Sequence, residues 1–542
     1  MIRIHQVKTT DPEQIEEKIL KKLNMKKSDL LSWSIHRRSV DARGQKVLFS
    51  YVIDANVKHE KKYLKNRDVV ICPDETFRFE PEGTEPLENR PVVAGFGPAG
   101  IFAALLLAQY GYRPLIVERG ADIDQRQKDV DLFWKEGLLN PESNVQFGMG
   151  GAGAFSDGKL TTRSKDPKSR RVYEELIRFG ADPDIAIDQH PHVGTDGFIQ
   201  ILKNIRQEIE SLGGEFAFGC RLDEIVVEND RLEKVVLSDG RVLPCQALIA
   251  AMGHSASDTI GMFYEKGMKM EPKSFAAGVR IEHLQTFINK AMLKDQAFNP
   301  ALIPARYQLT HTASTGRGVY TFCMCPGGYV IPSSCQPETV VVNGMSYSDR
   351  AGENANAALL IQCPASEFSQ DVFAGEHFLE ELEKKAYALS GSYKAPVQLA
   401  KDFVNKKKTT QLKSVKPTYA LGVEFADFNE LFDPVMAQSL QEALLDFEKK
   451  VPGFLEDAVL TGVETRSSST IRLLRDPQSL MSSIYGLYPC GEGAGYAGGI
   501  MTSAIDGMKC AMALMNCFAI PNKADYTKKK APSSIDAEHD RK

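Results

Sequence analysis

Apolar and polar positions recur along this chain with two periods, and the change from one to the other divides it. Residues 2–7 alternate apolar and polar side chains, the two-residue period of a half-buried strand. Residues 11–23 then read as a helix. Asp11 is placed to cap it, Pro12 takes the first helical position, and acids fill the first turn. A connector leads to a second strand over 46–57, and the polar run CPDETFRFEPEGTEPLENR links this small α/β module to the next unit of the chain. At Pro91 the pattern turns to PVVAGFGPAGIFAALLLAQYGYRPLIVERG: a short apolar strand, a glycine turn, an apolar helix and a second strand. That is one βαβ unit of about 30 residues. A strand–turn–strand stretch follows at 215–243, and CQALIAAMGHSASD reads as a buried strand ending in a glycine turn. From about 271 to 460 the alternating segments RYQLTHT, GVYTFCMC, GYVIP and ETVVVNGMS are mixed with amphipathic helices. The strand–glycine–helix pattern then returns in GLYPCGEGAGYAGGIMTSAIDGMKCAMALMN. The expected organisation is an N-terminal module and linker over 1–85 and a nucleotide-binding domain in two parts, 90–265 and 461–520. An inserted α+β substrate domain fills 266–460, and a tail over 521–542 lacks fixed structure.

Composition narrows this picture. At 542 residues the chain is too long for one ordinary core, and its 43% hydrophobic and 25% charged content is that of a globular protein. No run of 18 apolar residues occurs, and the first residues lack the basic-then-apolar pattern of a secretory signal. The ten cysteines are scattered without C-x-x-C or metal-ligand spacing, as suits a reducing compartment. The expectation is a cytoplasmic protein with no membrane anchor and no metal site. Net charge is −5, yet residues 1–65 hold 15 Lys+Arg against 8 Asp+Glu, which sets the first segment apart.

The chemistry lies in the glycine turns. Gly95, Gly97 and Gly100 form G-x-G-x-x-G between a strand and a helix, with Pro98 and Ala99 inside the motif. The three glycines serve a tight turn, close backbone approach to a pyrophosphate, and helix–strand packing. The helix then aims free N–H groups and the positive end of its dipole at the phosphates. Glu118, followed by Arg119, ends the second strand eighteen residues beyond Gly100, where an acid accepts ribose hydroxyls. This pairing identifies a dinucleotide site without separating FAD from NAD. The closing segment separates them: Gly491, Gly493, Gly495, Gly498 and Gly499 crowd a loop with Glu492, ahead of a helix from Ile500. Such a helix can point its N-terminus at the pyrimidine end of an isoalloxazine, where charge accumulates on reduction.

These motifs, with ALIAAMGHSASD, resemble the FAD domain of the glutathione-reductase and p-hydroxybenzoate-hydroxylase superfamily. More narrowly, QFGMGGAGAFSDGKLTTR at 146–163, HSASD at 254–258 and GVETRSSSTIRLLRD at 462–476 are similar to a bacterial family of FAD-dependent, or NAD(FAD)-utilising, dehydrogenases of unestablished substrate. The resemblance runs from about Met1 to Met515, with Ala-Met-Gly ending at Gly253 where the superfamily often has Ala-Thr-Gly. It implies an α/β fold with a Rossmann-type FAD-binding domain. It also implies that Gly148, Gly150, Gly151, Gly153 and Ser156 pass beside the flavin and pyrophosphate, with Lys159 and Arg163 beyond them. Lys159 is then either a cation near the flavin or a solvated loop lysine. Arg466 and Arg472 either meet an anionic substrate, bind phosphates or pair with acids. His254 and His283 are the acid–base candidates by location, although a histidine at a domain seam more often makes structural hydrogen bonds.

Cys323 and Cys325 alternate along one strand, so they face one side; packing is the favoured reading over a redox pair, since no C-x-x-C accompanies them. No second G-x-G-x-x-G follows a strand, so NAD(P)H is expected only as a transient electron donor. The expected function is two-electron transfer between an unidentified small molecule and flavin. The alternatives are a flavin-dependent RNA-modifying enzyme and a non-catalytic FAD-binding sensor or scaffold. The basic first segment has few aromatic platforms, so no nucleic-acid partner is expected.

Overall fold

The computed structural model describes residues 1–41, 47–162, 166–299 and 302–521; Lys46, Arg163 and the tail from 522 lie outside the described residues. Short strands with every side chain buried need cover on both faces, and the central sheet has it. Its five parallel strands run in the order Leu487–Pro489, Leu248–Ala250, Val92–Ala94, Leu115–Glu118 and Glu215–Phe218. One face carries the helix Pro98–Gln109, which is buried from Ala99 to Ala108. Against it lies Ile500–Cys517, where a Cβ on Gly507 would stand 2.1 Å from the Ala99 carbonyl oxygen. The other face carries an antiparallel sheet of Leu222–Glu228, Arg231–Leu237 and Val242–Pro244, whose Ile225, Leu232 and Val235 pack on Val92, Leu115 and Leu248. This is an α/β, Rossmann-type arrangement.

Between its two parts the chain builds a seven-stranded mixed sheet, in the order Thr310–Thr312, Gly318–Cys325, Asn354–Cys363, Phe275–Leu284, Val459–Glu464, Ala395–Leu399 and Val423–Phe425. All pairs are antiparallel except the last. The helix Pro434–Lys450 buries Leu440, Leu444 and Phe447 in the same apolar core. Met270–Pro272 pairs with Ile471–Leu473 where the chain enters and leaves this unit.

The N-terminal module is a four-stranded antiparallel sheet, Leu30–Asp41, Leu48–Val57, Ile2–Thr9 and Val69–Ile71, with the helix Ile15–Leu23 packed on it. The strand Leu30–Asp41 occupies what the sequence pattern leaves as a connector. It is an edge strand whose Trp33 and Ile35 are only half-buried, so its alternation is muted by charged and hydroxyl side chains. Residues 72–90 form no helix, and Gly83 and Glu85 donate backbone N–H bonds to the Met515 and Cys517 carbonyls, tying the linker to the last helix.

Candidate active site

Three glycine loops meet where the parallel strands end, around a cavity of about 680 Å³. The first is the turn after Val92–Ala94. Gly95 has φ +94, and a Cβ there would lie 2.5 Å from the Ala251 carbonyl oxygen. A Cβ on Gly100 would lie 1.9 Å from the Gly95 carbonyl oxygen, so only glycine lets the helix start this close to its strand. Gly97 caps that helix with Pro98 at its first position, leaving the first-turn N–H groups directed at the cavity. The second loop crosses the first, since a Cβ on Gly151 would lie 2.8 Å from the Gly97 Cα. The third runs from Gly491 to Gly499, which caps the helix Ile500–Cys517 with φ +134 and open space where a side chain would be.

Most of the glycines and neighbours singled out in the sequence line this cavity: Gly95, Gly97, Pro98, Ala99, Glu118, Arg119, Gly151, Gly153, Ser156, Gly253, Glu492, Gly498, Gly499 and Ile500. Gly100, Gly150, Gly491, Gly493 and Gly495 stand behind it, where their missing side chains let backbones touch. Glu118 is buried and accepts hydrogen bonds from the N–H groups of Phe96 (2.7 Å), Gly120 (3.0 Å) and Gly148 (2.9 Å), so it holds two of the loops together. A carboxylate offers about four acceptor positions, which leaves one for a ribose hydroxyl. Arg119 lies over the Phe147 ring and pairs with Glu142 and Asp258, so it walls the cavity with its charge already matched.

Two positioning residues carry no signal in the sequence. Arg126 is fully buried and donates to the carbonyls of Asn144, Val145, Gly148 and Met149, fixing the second glycine loop. Asp506 accepts from the Gly491 N–H at 2.8 Å and pairs with Arg475, which also donates to the Pro489 carbonyl, fixing the third. Cys490, Asp506 and Cys510 bring possible ligand atoms within 4.8 Å of one another, but the Arg475 guanidinium already supplies the positive charge there.

The acid–base candidates separate. His283 does not line the cavity: its strand runs into the core, where the ring packs on Phe287, Tyr307 and Phe454, and Nε2 meets the Phe454 carbonyl at 2.8 Å. Burial pushes it down to about 4, so it is a neutral core histidine and not a proton donor to the site. His254 does line the cavity, yet burial and the nearby Arg466 charge push it down to about 4 as well. Two cavity carboxyls are pushed up to about 7 by burial, Glu464 and Glu492; Glu464 is committed to Arg280 at 3.0 Å, which leaves Glu492 as the one free to exchange a proton with a ligand. The charge of Lys273 opposes the shift in Glu492, and His254 Nδ1 stands 3.8 Å from its carboxyl.

The cations also differ from expectation. Arg466 borders the cavity but is consumed by acids: Nε and Nη2 donate to Glu383 at 2.8 and 2.9 Å, and Nη1 to Glu376 at 2.8 Å. It cannot greet an anion, because two carboxylates already neutralise it. Arg472 pairs with Glu271 at the surface. Lys159 is not a solvated loop lysine. Its Nζ bonds the Met324 carbonyl, pairs with Asp157 at 3.0 Å, and reaches the Cys323 and Cys325 sulfurs at 3.9 and 3.8 Å. Burial opposes its charge, but the thiols and Asp157 outweigh that and hold it above the usual lysine range. Beside it stand two arginines that sequence reasoning missed. Arg306 lines the cavity with its Nε and Nη2 buried and without a hydrogen-bond partner among the described residues; Arg350 has the same two atoms in the same state. Burial lowers both, Arg350 to about 10, with Arg306 adding its repulsion. Asp157, at 3.0 Å from Lys159 and 4.0 Å from Arg350, is the shared counter-charge.

Residues 274–467 match the model of the C-terminal domain of FAD-dependent proteins, and residues 1–56 match a domain of unknown function. An uncharacterized protein of Clostridium beijerinckii is 44% identical over 531 residues, covering 96% of this chain and 99% of its own. Among solved structures, glycine oxidase from Bacillus cereus is 13% identical, covering 79% of this chain and 95% of its own, with a TM-score of 0.29. The glycerol-3-phosphate dehydrogenase of Bacillus halodurans, complexed with FAD, is 10% identical, covering 80% and 65%, with a TM-score of 0.34.

Proposed function

From the premise that this chain belongs to a family of FAD-dependent proteins, shared with the Clostridium beijerinckii relative, we propose that it is an oxidoreductase acting on a small anionic molecule. The observation that carries this reading is that one cavity joins the dinucleotide cradle to a cationic end. The cradle residues fit FAD: free N–H groups at the Pro98 helix, spare acceptor capacity on Glu118, and open space at Gly499. FAD bound there supplies a two-electron acceptor or donor.

The chain's own residues then divide the work. The first-turn N–H groups of Pro98–Gln109 hold pyrophosphate oxygens, and Glu118 holds ribose hydroxyls. The N-terminus of Ile500–Cys517 presents the positive end of its dipole to the cavity, where it favours negative charge. Arg306, backed by Arg350, supplies the donors for a carboxylate or phosphate of the substrate, which fixes its orientation. Glu492, with its carboxyl near neutrality, holds or accepts the proton that accompanies two-electron transfer.

A screen of small carboxylates and phosphates for anaerobic bleaching of the flavin band tests the reading. The expected outcome is bleaching by an anionic metabolite, with half-saturation raised at least about tenfold in Arg306→Ala and partly restored in Arg306→Lys. Bleaching only by neutral or cationic compounds, or an unchanged half-saturation in Arg306→Ala, refutes it.

A further inference from the structure

A cysteine pair two residues apart on a strand is ordinarily packing material, and the regular geometry keeps it so. Alternate Cα atoms on a strand are about 6.6 Å apart, close to the upper end of what a disulfide tolerates. The strand Gly318–Cys325 is not regular there. Its pairing with Asn354–Cys363 slips between Phe322 and Cys325, and Cys323 has φ +43, a conformation that non-glycine residues rarely adopt. Strained backbone of this kind persists where surrounding structure imposes it, often beside a functional site.

Here the surroundings are charged. Lys159, three residues beyond the glycine-loop residue Ser156, places Nζ within 3.9 Å of both sulfurs. Arg280 donates to the Cys323 carbonyl at 3.1 Å and brings Nη2 within 3.7 Å of the Cys325 sulfur, while Glu464 balances its charge at 3.0 Å. The Cys325 thiol donates to the Cys323 carbonyl at 3.2 Å; hydrogen bonding from Cys325, with the Lys159 and Arg280 charges, overcomes burial to bring Cys323 down to about 5. The same hydrogen bonding and burial push Cys325 well above the ordinary thiol range. Two cations on the sulfurs therefore favour the thiolate of one cysteine with a thiol two residues away, an arrangement suited to disulfide formation. Cys323 and Met324 line the same cavity as Gly153, Ser156 and Gly499 of the FAD cradle.

We propose that Cys323 and Cys325 are a dithiol–disulfide couple that exchanges two electrons with FAD in this cavity. In the oxidising direction the Cys323 thiolate and the Cys325 thiol give up two electrons and one proton as the S–S bond forms. The two electrons and the proton pass to oxidised FAD, which is left in its singly protonated reduced form; Lys159 loses its anionic partner and remains paired with Asp157. The reverse transfer cleaves the bond and restores the thiolate beside Lys159. The inference uses FAD as the family's cofactor and does not depend on the anionic substrate.

Two measurements on the purified holoprotein test it. Aerobic protein, denatured and alkylated with iodoacetamide, is expected to carry two fewer adducts than the same protein reduced first with dithiothreitol, with peptide mapping placing the missing pair at Cys323 and Cys325. Anaerobic titration with dithionite is expected to consume about two equivalents per flavin in the wild type and about one in Cys323→Ser, because each couple takes two electrons. Full alkylation without prior reduction, together with a one-equivalent titration of the wild type, overturns the proposal. The adduct count needs no variant, so misfolding of Cys323→Ser leaves the test intact. Such a failure would not alter the effect of Arg306→Ala on substrate half-saturation, so the two readings fail separately.

Discussion

Replacing Glu118 by Ala is expected to damage the apoprotein as well as its grip on FAD. An acid at this place in a dinucleotide fold invites the view that it serves the ligand alone, in which case the empty fold survives its loss. The geometry argues otherwise. Three buried backbone N–H groups, those of Phe96, Gly120 and Gly148, donate to this one carboxylate. Hydrogen bonds to a charged acceptor contribute about 1.5–3 kcal/mol each, so even the low end gives a loss of ~4–5 kcal/mol. That is a large part of the ~5–15 kcal/mol that holds an ordinary domain together. Glu118→Gln separates the two roles. Its amide oxygen can still accept from Gly120 and Gly148, while its NH2 group meets the Phe96 N–H, so about one bond is lost, ~1–3 kcal/mol.

The assay uses the placement of the two tryptophans. Trp33 lies in the N-terminal module and Trp134 on the helix Ile123–Glu136 of the FAD-binding domain, so in a Trp33→Phe background the emission reports that domain. Urea unfolding of apoprotein should shift to lower midpoints in the order parent, Glu118→Gln, Glu118→Ala, while FAD titration weakens in the same order. If Glu118→Ala unfolds with the parent and loses only FAD affinity, the three N–H groups are not held by this carboxylate, and its role belongs to the ligand alone.

Four further outcomes are expected. Gly100→Ala, whose new methyl would overlap the Gly95 carbonyl, should cost at least ~2 kcal/mol and yield colourless protein; a yellow variant of parental stability refutes the close approach. In protein first reduced with dithiothreitol, the iodoacetamide rate at Cys323 should rise through about pH 5, where its thiolate forms, and level off below the ordinary thiol range near ~8.5; a midpoint near the latter removes the role of Lys159 and Arg280. Because folding raises the Glu492 pKa to about 7, the stability it contributes is full at pH ~4 and is lost as pH rises through 7. The stability of Glu492→Gln relative to wild type should therefore improve by ~2–3 kcal/mol between pH 5 and 8, and a pH-independent difference contradicts the shift. NADH and NADPH should each reduce the bound flavin slowly and with weak saturation in anaerobic stopped flow, since the sequence has no second G-x-G-x-x-G after a strand to orient a nicotinamide; fast saturable reduction by either reveals such a site.

What was legible in the sequence is what sequence spacing encodes. Gly95, Gly97, Gly100 and Glu118 are tied together by one turn and one βαβ unit, so their roles could be read from positions a few residues apart. The residues that position the loops were not legible, because their partners are backbone carbonyls and N–H groups with no side-chain signature. Arg126 sits in a polar helix that looks like any solvated one, and only the fold turns it inward onto residues 144–149. His283 misled for the opposite reason. It follows a seam in the sequence, but the strand Phe275–Leu284 passes straight into the middle of a seven-stranded sheet. The slip in pairing at Cys323 and Cys325, and the lysine that reaches both sulfurs, are likewise properties of the fold that strand alternation cannot report.

The contrast among the buried arginines carries the argument about the substrate. Arg466 is matched by Glu383 and Glu376, Arg280 by Glu464, and Arg475 by Asp506. Burying a guanidinium costs several kcal/mol unless its charge and donors are met, and in these three cases the fold has met them. Arg306 at the cavity and Arg350 behind it leave two buried donors each unmet among the described residues, and the carboxylate they face, Asp157, is already bound to Lys159 and to the Ser346 hydroxyl. Selection for stability alone would supply a second acid here, as it has elsewhere in the same chain. An anion that arrives with the substrate would meet the same donors, and the unmet cost in the empty site then becomes binding energy when it is filled. Introducing an acid to pair with Arg306 should therefore stabilise the protein and weaken its substrate, the exchange expected where a fold holds a site open for a ligand.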